Sequence, residues 1–158
     1  MIIDTLEIDL ELVSQSRLDE VDFDNLPFGR VFSDHMFIME YKDGRWCKAK
    51  IEGYRALSIM PAMSVLHYGQ AIFEGMKAYR NDQGEVLLFR PEQNARRLNE
   101  SARRMCMPDV PESIFMDGLK KLIDLDREWV PKQEGSSLYI RPFMVATDEY
   151  VGIRPSDS

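Results

Sequence analysis

The feature that most constrains the fold is the dipeptide Asp43-Gly44, which separates two runs of strand-forming residues. Residues 36–41 are rich in β-branched, aromatic and other apolar side chains, and residues 45–51 alternate between apolar and polar. Asp-Gly is a favoured two-residue hairpin turn because both positions tolerate a positive φ. The sequence therefore predicts a β-hairpin over residues 36–51.

A second hairpin is predicted over residues 73–89, where a turn at 81–84 separates the run 71–80 from the strand-like residues 86–89. The apolar residues of the first run also fit a helical stripe. Gly75 favours a strand, because a glycine inside a strand lets another group approach the backbone closely. Side chains two apart in a strand share a face. One face would carry Phe73, Gly75 and Lys77, and the other Ile72, Glu74 and Met76.

Two helices are predicted next. Pro91 suits a first helical turn, and an apolar stripe at helical spacing runs to residue 105. This stripe comprises Ala95, Leu98, Ala102 and Met105. Asp109 and Glu112 form a capping-box pattern for a second helix that Pro131 ends.

A strand is predicted over residues 137–147, a loop over 148–158 and an edge strand in the first ten residues, whereas residues 53–66 look irregular. Strands, two helices and a further strand follow one another along the chain. This order predicts an α+β fold, in which an antiparallel sheet carries two packed helices.

Composition and charge disfavour several classes of function. The chain has 158 residues, which suits one domain or two very small ones. Its net charge of −7 disfavours general nucleic-acid binding. It contains no apolar run of the roughly 18 residues that a membrane span requires. Two cysteines without CxxC spacing and two distant histidines do not predict a metal site. The acidic N-terminus resembles neither a signal nor a transit peptide, so we expect a cytoplasmic protein.

Arginines on the first predicted helix are candidate ligand-binding residues. Arg97 and Arg104 lie seven residues apart and share a face, and Arg96 and Arg103 form a neighbouring pair. One interpretation is a solvated basic face balanced by nearby glutamates, Glu92 and Glu100. The other is that one arginine turns inward and binds a phosphate through its planar set of donors.

Tyr139 and Arg141 are a second candidate pair, because residues two apart in a strand point to the same side. A guanidinium beside a phenol suits a carboxylate ligand, although the pair could equally lie on a solvent face. Lys77 raises the possibility of a Schiff base, which a buried lysine can form. A lysine in the middle of a strand is more often exposed.

Five segments together resemble the branched-chain amino acid aminotransferases, which are fold-type IV (class IV) pyridoxal-phosphate enzymes. The segments are FGRVFSDHM (28–36), SVLHYGQAIFEGMKAYR (64–80), LFRPEQNARRLNESARRM (88–105), LIDLDREWVP (122–131) and SLYIRP (137–142). The resemblance implies that residues 1–158 form the N-terminal small domain of such an enzyme. Residues 1–27 would be an arm, and residues 28–158 a core that lacks its last strand. The large catalytic domain would lie outside these residues.

The resemblance also implies roles for individual residues. Arg97 matches the arginine that binds the cofactor phosphate, and Arg141 matches an arginine at the carboxylate end of the site. Val151 and Ile153 match apolar residues that reach toward the partner subunit in the family's homodimer. The aromatic lining of the substrate pocket is matched by Phe28, Tyr68, Phe73 and Tyr139.

Lys77 does not match the family's Schiff-base lysine, which lies in the larger second domain. The resemblance thus implies that the parent enzyme transfers the amino group of leucine, isoleucine or valine to 2-oxoglutarate, whereas these 158 residues alone are expected to be inactive. Two alternatives stay open. One is another fold-type IV enzyme, such as a D-amino acid aminotransferase or aminodeoxychorismate lyase, which the aromatic set disfavours. The other is a non-catalytic dimerisation or interaction domain.

Overall fold

The structure, a computed structural model, describes residues 7–152 and 154–158. Eight strands are present in these residues: β1 (Asp9–Leu10), β2 (His35–Lys42), β3 (Arg45–Gly53), β4 (Ala71–Phe73), β5 (Met76–Arg80), β6 (Val86–Leu88), β7 (Leu138–Ile140) and β8 (Phe143–Val145). There are three α-helices, α1 (Ser64–Tyr68), α2 (Pro91–Arg104) and α3 (Glu112–Leu125). Short 3₁₀ turns lie before β2, at Leu18–Glu20, and after α3, at Arg127–Trp129. This order confirms the predicted α+β class.

The predicted first hairpin is confirmed, and it supplies the central strand β3 and the edge strand β2 of a three-stranded sheet. β2 and β3 pair antiparallel, and Asp43 and Gly44 both adopt positive φ, at 52° and 77°. β1 adds to the edge in parallel with β3, which places the predicted N-terminal edge strand at Asp9–Leu10. Residues 1–6 of that prediction lie outside the described residues.

The second half of the chain forms two small sheets instead of one continuous sheet. β4 pairs with β8, whereas β5 pairs with β6 and β7. The predicted hairpin over 73–89 is therefore present only as β5 and β6. The prediction of a single strand over 137–147 is wrong, because two short strands, β7 and β8, lie there.

Both interruptions occur at the same place. The register pairs Phe73 with Phe143 on one side and Met76 with Ile140 on the other. Glu74-Gly75 thus faces Arg141-Pro142, and the Glu74 N–H donates to the Pro142 carbonyl at 2.8 Å. Proline has no N–H to donate to a ladder, which explains why the pairing of these two segments is interrupted there.

The predicted helices are confirmed with changes at their ends. α2 begins at Pro91 and packs Leu98 and Ala102 against Ile72 of β4, and Ala95 is also buried. Met105, the predicted end of the stripe, follows the helix and is exposed. Gly118 of α3 lies against β2, where a Cβ would come within 3.0 Å of the Phe37 ring, so this glycine lets the helix and strand pack closely.

The predicted capping box at the start of α3 is wrong. Pro111 occupies the N-cap position and no side chain caps the helix. The Asp109 carboxylate instead accepts hydrogen bonds from the Nε and Nη2 of Arg103, at 3.1 and 2.7 Å. A guanidinium that offers two charged donors competes with a single backbone N–H for this carboxylate. α3 also ends at Leu125, before the end that was predicted at Pro131.

A buried acid network, which we define as Asp34, His35 and Asp126, ties the N-terminal segment to the end of α3. Asp34 accepts hydrogen bonds from Ser16 Oγ at 2.5 Å and from Trp129 Nε1 at 3.0 Å. The backbone N–H and the Nε of Arg17 also donate to it, at 3.1 and 3.3 Å. Burial by itself would raise the pKa of the Asp34 carboxyl, but these donors together hold that pKa below its ordinary value.

His35 has a defined tautomer in this network. The Val13 N–H donates to His35 Nε2 at 3.1 Å, so Nε2 must act as an acceptor. The proton therefore lies on Nδ1, which donates to Asp126 Oδ1 at 2.7 Å. The His35 backbone N–H fills the other Asp126 oxygen at 3.0 Å. Every charged member of the network is thus paired inside the fold.

None of the helices in the described part of the chain is long and apolar enough to cross a membrane. Cys47 and Cys106 are both free cysteines.

Candidate functional site

An aromatic–arginine cluster, which we define as Phe28, Phe73, Tyr139 and Arg141, forms at the interruption between the two small sheets. The Arg141 guanidinium lies 4.4 Å from the centre of the Phe73 ring, and its Nη2 donates to Tyr139 Oη at 2.9 Å. The Phe28 ring meets the Tyr139 ring edge-on at a centroid distance of 5.5 Å. Four residues predicted for the substrate pocket therefore lie together.

The contact between Tyr139 and Arg141 does not arise in the predicted way. Arg141 follows β7 and precedes Pro142, so the two residues do not alternate along one strand. They meet because the Arg141 side chain folds back over Phe73 and reaches the phenol. Phe28 is 80% exposed and Phe73 is 64% exposed. Large exposed aromatic side chains that lie together mark a surface that binds something.

Gly75 is required for the position of Tyr139. A Cβ at Gly75 would lie 2.2 Å from Tyr139 Oη and 3.0 Å from Cζ, which is too close for any real contact. Every side chain larger than hydrogen would therefore push the phenol away. This geometry confirms that the glycine allows a close approach to the backbone.

Arg97 of α2 forms an ion pair with Glu74, which we call the arginine clamp. Arg97 Nε donates to Glu74 Oε1 at 3.0 Å, and Nη2 donates to Oε2 at 2.8 Å. The hydrogen bonds to Glu74 raise the pKa of Arg97, and the guanidinium side chain remains 56% exposed. Neither interpretation from sequence is complete, since Arg97 is solvated but its partner is neither Glu92 nor Glu100.

Two other arginines of α2, Arg96 and Arg103, also have partners that the sequence did not indicate. Arg96 pairs with Glu112 of α3 at 3.5 Å, and Arg103 pairs with Asp109 at 2.7 Å. These cations therefore bridge α2 to the segment that follows it. Arg97 alone among these three pairs with a residue of the interruption at Glu74-Gly75.

Glu74 is the functional candidate that the sequence reasoning missed. Its side chain is only 11% exposed, and besides Arg97 it accepts hydrogen bonds from Asn94 Nδ2 at 3.0 Å and the Gly75 N–H at 3.3 Å. Burial by itself would raise the pKa of the Glu74 carboxyl, but the hydrogen bonds from Arg97, Asn94 and Gly75 lower it overall. A signal was present, because Glu74 lies between Ile72 and Met76, which are both buried. A carboxylate on a buried face requires a cationic partner.

An open depression of about 540 Å³ has Arg97 of the clamp and Tyr139 of the aromatic–arginine cluster in its lining. It is lined by Gly75, Met76, Lys77, Tyr79, Phe89, Arg90, Gln93, Asn94, Arg97 and Tyr139. Three of these side chains are cationic and three are aromatic. Such a lining fits a ligand that carries an anionic group and a flat ring. Lys77 is exposed here, as expected for a lysine in the middle of a strand.

The remaining predicted site residues, Tyr68, Val151 and Ile153, belong neither to the aromatic–arginine cluster nor to the residues given above as lining the depression. Tyr68 ends the short helix α1, in a stretch where we expected no helix, and its ring lies 6.2 Å from that of His67. Val151 is exposed in the C-terminal loop, and Ile153 lies outside the described residues. Within residues 7–152 and 154–158, no group of three histidine, cysteine or acidic side chains is placed to hold a metal ion.

Comparison with known proteins identifies relatives of the chain. It is 49% identical over 141 residues to branched-chain-amino-acid transaminase 1 of Bacillus subtilis (strain 168), a match that covers 89% of this chain and 40% of that protein. It is 48% identical over 150 residues to branched-chain-amino-acid aminotransferase 2 of the same organism, covering 94% of this chain and 41% of that protein. The branched-chain-amino-acid aminotransferase of Mycolicibacterium smegmatis is 47% identical over 135 residues, covering 84% of this chain and 37% of that protein. No protein-family model matches the chain.

Solved structures support the same fold. The Escherichia coli branched-chain amino acid aminotransferase superposes with a TM-score of 0.55 at 22% identity, over 73% of this chain and 35% of that one. The branched-chain aminotransferase of the thermophilic archaeon Thermoproteus uzoniensis, solved with norvaline, gives a TM-score of 0.54 at 19% identity, over 75% of this chain and 36% of that one.

The resemblance stated from the sequence is thereby confirmed: the chain is similar to a part of the branched-chain amino acid aminotransferases. The chain spans about 40% of the length of the curated relatives that it matches. Its sheets and helices are consistent with the small N-terminal domain of fold-type IV enzymes.

Proposed function

We propose that this chain is the N-terminal part of a branched-chain amino acid aminotransferase, which moves the amino group of leucine, isoleucine or valine to 2-oxoglutarate. The observation that carries the proposal is the 49% identity over 89% of the chain to branched-chain-amino-acid transaminase 1. The clustering of Phe28, Phe73, Tyr139 and Arg141 supports it, because residues that are distant in sequence converge on one surface.

The residues that line the depression suit pyridoxal 5'-phosphate. In this proposal Arg97 binds the phosphate, because the clamp leaves N–H groups of an exposed guanidinium available. When bound, pyridoxal 5'-phosphate supplies an electron sink that makes the α-carbon proton of an amino acid acidic. Arg141 would bind the substrate carboxylate, and its bond to Tyr139 would orient both groups.

The apolar side chain of the substrate would contact Phe28, Phe73 and Tyr139. These rings favour a branched aliphatic side chain, because they offer apolar area and few hydrogen-bonding groups. Tyr68 would complete this lining, and Val151 and Ile153 would reach toward the partner subunit of a homodimer. A D-amino acid aminotransferase or an aminodeoxychorismate lyase is the alternative enzyme, but the curated relatives described above carry neither name.

None of the seven lysines matches the family's Schiff-base lysine. We propose that this lysine belongs to the part of the relatives that the chain does not span, and that residues 1–158 by themselves do not catalyse transamination. We also propose a cytoplasmic location, which rests on the composition of the N-terminus. A homodimer and the division into an arm (1–27) and a core (28–158) are proposals that rest on the resemblance.

A chimera tests the proposed activity. Residues 1–158 would replace the matching part of Bacillus subtilis branched-chain-amino-acid transaminase 1, and transamination between L-leucine and 2-oxoglutarate would be measured. We expect activity, and we expect an Arg97→Ala chimera to lose at least about tenfold in kcat/KM, with a weaker affinity for the cofactor. Activity with D-alanine and none with L-leucine would instead support the alternative enzyme.

A labelling experiment tests the proposed inactivity of the isolated chain. The purified chain would be mixed with pyridoxal 5'-phosphate, reduced with borohydride and analysed by mass spectrometry, with Lys77→Arg as the matched control. We expect no stoichiometric label at a single lysine and no turnover of leucine. Stoichiometric labelling of Lys77 that is lost in the control, together with leucine turnover, would contradict the proposal.

A further inference from the structure

We infer that Glu74 is a positioning residue, which holds the guanidinium of Arg97 in the orientation that binds an anion in the depression. The inference rests on the proposed role of Arg97 as the phosphate ligand. Arginine carries five N–H donors. Glu74 engages the Nε–H and one N–H of Nη2, so the remaining donors lie on the far edge of the guanidinium. With Glu74 on one edge, only this far edge is available to a phosphate.

Glu74 can orient Arg97 because Glu74 is itself held on several sides. Asn94 Nδ2 donates to Glu74 Oε2 at 3.0 Å and also to the Gly75 carbonyl at 3.2 Å. Asn94 is buried on α2, three residues before Arg97, and therefore lies on the same face of the helix. The Gly75 N–H adds a bond to the carboxylate at 3.3 Å. The carboxylate thus has little freedom to rotate.

These contacts connect the two ends of the candidate site. The backbone at Gly75 orients Glu74 through its N–H, and the same glycine leaves the space that Tyr139 Oη occupies. A single interruption of the sheet therefore positions both the cation for a phosphate and the phenol beside Arg141. The sheet supplies a rigid support for side chains that are otherwise exposed.

Glu74 could also weaken phosphate binding, through electrostatic repulsion. A carboxylate beside an anion site repels the anion, so a glutamate that acted only as a counter-charge would weaken phosphate binding. Replacing it with glutamine would then strengthen binding. A positioning residue predicts the reverse, because an unheld arginine must lose side-chain entropy when it binds. The two roles thus differ in the sign of the change.

The test uses the full 158-residue chain, labelled with ¹⁵N, and inorganic phosphate as the probe. The Nε–H signal of Arg97 and the amide signal of Gly75 would be followed by NMR at about 50 and about 500 mM salt, since salt screens the repulsion but not the positioning. We expect Glu74→Gln to raise the Kd for phosphate about three- to tenfold and to speed exchange of the Arg97 Nε–H with solvent.

Two further variants serve as comparison and control. Glu74→Asp keeps the charge but shortens the side chain by one methylene, so positioning predicts weaker binding and a counter-charge role predicts no change. Glu112→Gln breaks the neighbouring ion pair with Arg96 and should leave phosphate binding unchanged. Retained dispersion of the other amide signals would show that each variant is folded.

Each outcome decides the question. Phosphate binding by Glu74→Gln and Glu74→Asp that equals or exceeds that of the unmodified chain at both salt concentrations would overturn the inference and leave the proposed function intact. Phosphate that shifts neither Arg97 nor Gly75 in the unmodified chain would overturn the proposed role of Arg97 and the inference with it.

Discussion

The buried acid network and the arginine clamp use similar groups for different purposes. In the network, the side chains of His35 and Asp126 are 8% and 3% exposed, and both are paired inside the fold. In the clamp, an equally well hydrogen-bonded Glu74 holds an arginine that stays 56% exposed. Pairing that leaves no charge available stabilises a fold, whereas pairing that presents one charged edge to a depression can bind a ligand.

Removal of the central acid of the network should have the largest effect on stability. Asp34→Ala leaves Trp129 Nε1, Ser16 Oγ and the backbone N–H of Arg17 without their acceptor. We expect the free energy of unfolding to fall by about 3 kcal/mol, measured by urea denaturation. A loss of less than about 1 kcal/mol would mean that water replaces the carboxylate, and the contrast with the clamp would disappear.

A substitution at Gly75 should have an intermediate effect. Gly75→Ala places a Cβ where Tyr139 Oη lies, so the phenol must move. We expect a loss of about 1–3 kcal/mol in urea denaturation and a changed environment for the Tyr139 ring in NMR spectra. In a Tyr139→Phe background the same substitution should cost less, since the closest atom is gone. Equal costs in both backgrounds would contradict this explanation.

Acid should weaken both regions. The Asp34 and Glu74 carboxyls have lowered pKa values in the fold, so their contribution is complete above the ordinary pKa near about 4 and is lost as the pH falls through the lowered values. Unfolding free energies measured from about pH 5 to about pH 2 should therefore decline. Asp34→Asn should flatten this decline. Glu74→Gln should flatten it less, because the clamp lies at the surface and solvent screens it.

Removal of the exposed cation should have the smallest effect on stability. Arg97→Ala breaks an ion pair whose cation is mostly solvated, and we expect a change of about 1 kcal/mol or less in urea denaturation. The same variant should abolish the effect of phosphate on the Gly75 amide signal. A loss as large as that of Asp34→Ala would show that the clamp serves mainly to stabilise the fold.

Local patterns predicted the elements better than their connections. The Asp43-Gly44 turn and the stripe on α2 were visible because hairpin turns and helical periodicity depend on neighbouring residues. The interruptions at Glu74-Gly75 and Arg141-Pro142 were not recognised, because each strand run looks continuous by itself. They coincide only after β4 has paired with β8 and β5 with β7.

In the candidate site too, some features could be predicted from the sequence and others only from the tertiary structure. The sequence by itself proposed the aromatic residues, Arg97 and Arg141 as candidates, because five motifs together resemble one family and that resemblance is specific. It did not identify Glu74 as the partner of Arg97, since the two are 23 residues apart and closer glutamates were available. Only the tertiary structure selected among these carboxylates. Packing of α2 against β4 brings the helix to the interruption, where burial leaves Glu74 in need of a cation.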